Sequence, residues 1–121
     1  MKLRLSSSGV NIHLELRDTP TSRAVFDAAP FEGRAQTWGD EVYFETPVSA
    51  KLEADARQVV EPGTVCFWTQ GDALALPFGR TPISTDEEPK LANPCNVLGS
   101  MKDFALLRKI KAGDKVRVEK A

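Results

Sequence analysis

Apolar residues fall on every second position at the start of the chain. Leu3 and Leu5, then Val10, Ile12, Leu14 and Leu16, alternate with polar neighbours, the period of strands with one buried face. Ser7-Ser8-Gly9 places small turn residues between the two runs, so the strands are expected to pair as a hairpin. The alternation ends at Asp18-Thr19-Pro20-Thr21-Ser22. Thr19 can cap a helix there, and Pro20 suits the first helical position because the N–H it lacks would have no partner. This short helix is expected to run to about Ala29, where Pro30 stops it.

Arg34 to Trp38 and Glu41 to Glu45 flank Gly39-Asp40, a glycine-first pair of the kind that closes a tight hairpin. Pro62-Gly63 turns the chain into Thr64-Val65-Cys66-Phe67-Trp68-Thr69, which is apolar on both sides. A strand buried on both faces reads this way, as when a helix covers the outside of a barrel strand. Gln70-Gly71-Asp72 leads into Ala73 to Phe78, and Pro77 predicts an opening or edge at that point because it donates no hydrogen bond. Gly79 to Pro94, broken by Pro82, Pro89 and Pro94 and carrying Asp86-Glu87-Glu88, reads as a long loop. Cys95 to Gly99 returns to strand, and Phe104, Leu107 and Ile110 at three-residue steps predict a second helix. A last strand carries Val116 and Val118. About eight strands and two helices result. Closing that sheet into a small β-barrel, with helices over its ends, removes the exposed edges.

At 121 residues the chain fits one domain, residues 1–121, with a core that needs no disulfide. Sixteen Lys and Arg against seventeen Asp and Glu leave a formal net charge of -1, without the basic footprint that a nucleic-acid backbone calls for. No run approaches the ~18 apolar residues of a membrane span, and the start lacks the apolar stretch of a signal peptide. Cys66 and Cys95 lie far apart and form no CxxC pair, so neither a zinc site nor a redox dithiol is expected. A cytoplasmic protein with reduced thiols, and with no metal or other cofactor, is the expectation. Charge is nonetheless uneven. Six acids and two bases lie between Trp38 and Pro62, and seven bases and three acids between Lys102 and Ala121. Such asymmetry could orient the chain on a charged partner or on a second copy in a homo-oligomer.

The order of several blocks resembles a known family. Thr37-Trp38-Gly39-Asp40-Glu41-Val42-Tyr43-Phe44, Thr46-Pro47-Val48 and Val59-Val60-Glu61-Pro62-Gly63 are followed by Ala73 to Pro82 and by Asn96-Val97-Leu98-Gly99. In that sequence they are similar to the cyclophilin-like TM1367 family, whose biochemical function is not established. The resemblance covers nearly the whole chain and implies the cyclophilin fold: mainly β, a closed eight-stranded barrel with two capping helices. Cyclophilins proper are prolyl cis/trans isomerases, which lower an amide barrier of ~20 kcal/mol. Their Phe-His-Arg and Gln-Gly-Gly-Asp runs, and the Trp and His near their last barrel strand, have no counterpart here.

His13, the single histidine, falls on the polar side of its strand. Serine, cysteine or metal chemistry that needs a histidine would have to use that surface residue. Cys95 has no base or cation beside it in sequence and reads as a buried inert thiol. The aromatics either fill the core or line a barrel mouth, where Trp and Tyr offer an apolar body and a polar tip. Their place in the resembling blocks favours lining for Trp38, Tyr43 and Phe78. Arg80, in the Gly79-Arg80-Thr81-Pro82 turn, could fork onto a carboxylate or carbonyl. With Asn96 it would orient polar groups of a peptide or small-molecule ligand. The alternatives are a divergent prolyl isomerase that uses Arg34 or Arg80, and a regulatory subunit that docks through its charged end.

Overall fold

In the computed structural model, which describes residues 1–121, the first alternating run forms the hairpin expected of it. β1 (Lys2–Ser7) pairs antiparallel with β2 (Val10–Leu16), and Leu3, Leu5, Ile12 and Leu14 are fully buried. Ser8 and Gly9 turn the chain at φ of 50° and 76°, the left-handed pair that matches strand twist in a two-residue loop. α1 (Pro20–Ala28) begins with Thr19 Oγ1 accepting from Ser22 N at 3.1 Å and ends before Pro30, as its sequence requires. Val25 carries it onto the core.

The remaining strands are β3 (Phe31–Arg34), β4 (Gln36–Thr37), β5 (Glu41–Glu45), β6 (Arg57–Val59), β7 (Thr64–Trp68), β8 (Ala73–Pro77), β9 (Lys90–Ser100) and β10 (Lys115–Lys120). Their order is β3-β10-β1-β2-β9-β7-β8-β5-β4, with β6 paired to β9 off this path. β3 and β4 are separated only by Ala35 yet stand at opposite ends of that order. The sheet therefore curls into a nearly closed barrel. At the seam β3 approaches β5 so closely that a Cβ on Gly33 would lie 3.0 Å from the Glu45 carbonyl oxygen. Inside, 23 buried residues form one core cluster that draws on β1, β2, β5, β7, β8 and β10.

Ten strands stand where eight were expected, for two local reasons. The Arg34-to-Trp38 run splits at Ala35, whose N–H donates to Asp114 O and whose carbonyl accepts from Gly113 N, both at 2.8 Å. The three-residue β6 is the other addition. The second helix is a 3-10 helix, Phe104–Lys109, which suits apolar residues at three-residue steps. β9 starts at Lys90, so the long loop ends earlier than its prolines suggested. Pro94 is tolerated inside β9 because residues before Asn96 pair only with β6, and the ladder to β7 begins at Asn96. The double-sided burial of β7 also has a different cause from the one expected. Val65 and Phe67 face the barrel core, while Cys66 faces out into a second cluster with Val60, Ala75, Leu91 and Cys95. β6 and the first half of β9, not a helix, cover that outer face.

Candidate functional site

The outer cluster does not close completely. Beside it lies a pocket of about 180 Å³ with a mostly apolar wall. Trp38 reaches it from the turn that joins β4 to β5, a turn fixed by the Trp38 N–H donating to Glu41 O at 3.0 Å. Gly39 permits that turn: its φ is +60°, and a Cβ there would stand 2.9 Å from the Arg80 carbonyl oxygen. Two residues on, Glu41 and Tyr43 share the outward face of β5, because Val42 and Phe44 between and beyond them face the core. Ala75, opposite Tyr43 on β8, keeps the floor shallow. Leu91 and Cys95 of β9 form the far wall.

Trp68 completes the aromatic side. Its ring meets Tyr43 edge to face, with centroids 6.3 Å apart and planes at 83°, a favoured aromatic geometry. The indole N–H is anchored by Gln70 Oε1 at 3.0 Å and Asn93 Oδ1 at 3.2 Å. Gly71 makes room for the ring, since a Cβ at that position would fall 2.4 Å from two indole carbons. Tyr43 and Trp68 also border a second, larger groove of about 590 Å³ along the barrel seam. Phe31, Arg34, Gln36 and Glu45 are among its other lining residues.

Glu41 is the one charged residue in the small pocket. It is 6% exposed, its Oε1 is buried, and no protein group donates a hydrogen bond to it. Desolvation disfavours the carboxylate and pushes its pKa up to about 7. The same burial, with Glu41 nearby, pushes the Cys95 thiol up to about 12 and Cys66 upward as well. Neither sulfur is a ready nucleophile, since the thiolate is the reactive form. No group of three or more His, Cys, Asp or Glu side chains is arranged to hold a metal ion, and no helix is long and apolar enough to cross a membrane.

Of the five residues singled out from the sequence, the fold brings Trp38 and Tyr43 together in this pocket. Phe78 lies on the other side of the 39–40 turn, with the Arg108 guanidinium 5.0 Å above its ring. Arg108 in turn pairs with Asp40 at 3.1 Å. Arg80 is exposed and donates to Ser84 O at 3.2 Å within its own loop. Asn96 is wholly buried in a structural network. Its amide donates to Thr21 Oγ1 and Lys51 O at 3.0 and 2.9 Å, and its Oδ1 accepts from Glu53 N at 2.7 Å. Arg34 lines the seam groove and donates to Gly113 O at 3.3 Å. His13 is exposed on β2.

Sequence reasoning passed over Glu41 and Leu91. Strand alternation holds the available signal for the first: Glu41 is two residues from Tyr43 and must share its face. Nothing local marks Leu91 or shows that β9 would fold over that face and bury the carboxyl. At the basic end of the chain, three of the seven bases form ion pairs within the molecule. Lys115 and Arg117 pair with Glu32 at 3.2 Å each, Arg117 also pairs with Glu119 at 2.8 Å, and Arg108 pairs with Asp40.

The profile of the Cyclophilin-like family matches residues 1–119. The solution structure of the hypothetical protein AF2241 from Archaeoglobus fulgidus is similar at 37% identity, over all of this chain and 95% of that one, with a TM-score of 0.84. The structure of McbB in complex with tryptophan shares the fold at 15% identity and a TM-score of 0.73. There the likeness covers 98% of this chain and 44% of that one. No curated protein is significantly similar in sequence.

Proposed function

The chain belongs to the cyclophilin-like family, and from that premise we propose that it is a binding barrel rather than an efficient isomerase. It takes a small ligand, or a side chain of a peptide, in the pocket bounded by Trp38, Tyr43 and Trp68. One observation carries this reading: three large aromatic side chains, each only half-buried, converge on a pocket outside a barrel whose interior is already filled. Aromatic walls with one or two polar groups are the usual composition of a small-molecule site. McbB, whose structure is a complex with tryptophan, shares this fold over 44% of its chain.

A second reading, divergent prolyl isomerisation, has one observation in its favour. Arg34 is exposed in the seam groove that Tyr43 and Trp68 also border, so an extended peptide lying there would meet both an arginine and aromatic surface. Two-dimensional amide NMR of the labelled protein, titrated with a short Ala-Pro peptide and with small aromatic compounds, separates the two readings. Binding predicts shifts clustered at Trp38, Tyr43 and Trp68 without faster exchange between the peptide's cis and trans signals. Acceleration that is lost in Arg34→Ala, with the fold intact, would establish the isomerase instead. If no compound moves these resonances, the pocket is not a ligand site.

A further inference from the structure

Glu41 poses a physical problem that no other group of the chain solves. A carboxyl group 6% exposed, with one oxygen buried and unpartnered, sits among Leu91, Ala75 and the aromatic rings. Leaving a buried acceptor unmade costs about 1–3 kcal/mol, and more when it is charged. The groups that face it from neighbouring elements do not relieve this. Cys66 of β7 and Cys95 of β9 are neutral thiols, Tyr43 shares its strand, and Trp38 closes the turn. No Lys, Arg or His lines the pocket. The nearest base in register is Arg57, opposite Cys95 on β6, which is exposed and lies outside the pocket wall. With no partner in the chain, that oxygen can be met only by water or by a ligand that brings a positive charge or a hydrogen-bond donor.

Resting on the reading of this pocket as a ligand site, we propose that its ligand class is a small apolar amine. The ammonium would sit on Glu41, and the hydrocarbon part would lie against Trp38, Tyr43 and Trp68. Three features favour a cation over other ligands. The aromatic faces attract cations through their negative π-surfaces. The fold has already desolvated the Glu41 carboxyl, and beside the apolar wall of this pocket its attraction for a cation is stronger than it would be in water. An anion would face repulsion from Glu41, and a neutral hydrocarbon would leave its oxygen without a donor. Below about pH 7 the carboxyl group is mostly protonated, and it gives up that proton as the ammonium binds. Binding is therefore coupled to proton release and strengthens as pH rises while the amine stays charged.

The experiment uses the whole chain and three matched probes, benzylammonium, benzyl alcohol and benzoate, with affinities read by NMR titration and calorimetry at about pH 6 and pH 8. Benzylammonium is expected to bind at least tenfold more tightly than the alcohol at pH 8, with benzoate weakest. Its affinity is expected to rise roughly tenfold from pH 6 to pH 8, as a group titrating near 7 goes from one-tenth to nine-tenths ionised, while that of the alcohol stays level. Glu41→Gln, which keeps the side-chain shape, should remove the preference and the pH dependence together. The wild-type pH profile gives the same answer should that variant fold poorly. Equal binding of amine and alcohol overturns the ammonium assignment and leaves the aromatic pocket standing as a ligand site. Silence of all three probes at Trp38, Tyr43 and Trp68 overturns the pocket reading itself.

Discussion

From β5, Val42 and Phe44 enter the barrel core, while Glu41 and Tyr43 face the pocket on its outer side. The inward pair belongs to a cluster of 23 buried residues, all hydrophobic. The outward pair borders a cluster of five, Val60, Cys66, Ala75, Leu91 and Cys95, that leaves open space and a carboxyl group without a partner. Close packing inside contributes stability and little else. The incomplete outer layer gives up some stability and keeps a recognisable surface. That contrast separates scaffold from site within one strand, and it can be tested from both sides.

The largest effect is expected in the barrel. Leu14 is fully buried in a filled core, so Leu14→Ala should cost about 4 kcal/mol, near the upper end for such truncations. Leu91 is equally buried but lines the pocket, where space already exists, so Leu91→Ala should cost about 2 kcal/mol. Urea unfolding of both variants measures the difference. Equal losses would mean that the outer cluster is a second packed core, and the contrast would collapse.

Glu41 gives the next effect, and its sign is fixed by linkage. Its carboxyl holds a proton to about pH 7 in the folded chain but only to about 4.5 in an unfolded one. The folded state therefore binds more protons between those values, and stability must fall as pH rises from about 4.5 to 7, then level off. A shift of that size corresponds to about 3 kcal/mol. Unfolding of the ligand-free protein across this range should show the decline, and Glu41→Gln should abolish it. A flat wild-type profile would show that the carboxyl is satisfied in solution, which removes the difference between the two regions where it matters most.

These contrasts also explain what the sequence could reveal. The β1–β2 hairpin, the Thr19 cap and the Pro30 stop were legible because strand period, capping chemistry and proline geometry are local. The second helix was legible in position but not in type, because three-residue spacing leaves a short segment free to tighten into a 3-10 turn. The pocket was half legible. Trp38 and Tyr43 stand in one block, on either side of the Gly39-Asp40 turn, but burial of Glu41 depends on β9, some fifty residues later, folding across its face. Asn96 shows the opposite case: a polar residue in the Asn96-Val97-Leu98-Gly99 block suggests a ligand contact, while the structure gives its amide three hydrogen bonds, to Thr21, Lys51 and Glu53. Asn96→Ala should cost about 2 kcal/mol, since it strands Lys51 O and Glu53 N, and should leave benzylammonium affinity unchanged. A selective loss of affinity would return Asn96 to the site.

Arg108 supplies the smallest and most discriminating effect. Its guanidinium lies over Phe78 and pairs with Asp40, directly across the 39–40 turn from the pocket. The arginine side chain is 65% exposed, and exposed ion pairs and cation–π contacts contribute little after solvent screening. Arg108→Ala should therefore lower stability by less than about 1 kcal/mol. The turn itself stays held by backbone bonds, from Asp40 N to Arg80 O at 2.9 Å and from Phe78 N to Asp40 O at 2.8 Å. With that geometry kept, Trp38 and Glu41 keep their places, and benzylammonium should bind within about threefold of wild type, a change of under about 1 kcal/mol. A drop as large as that from Glu41→Gln would put Phe78 and Arg108 inside the recognition surface. The boundary between scaffold and site would then run on the far side of the turn.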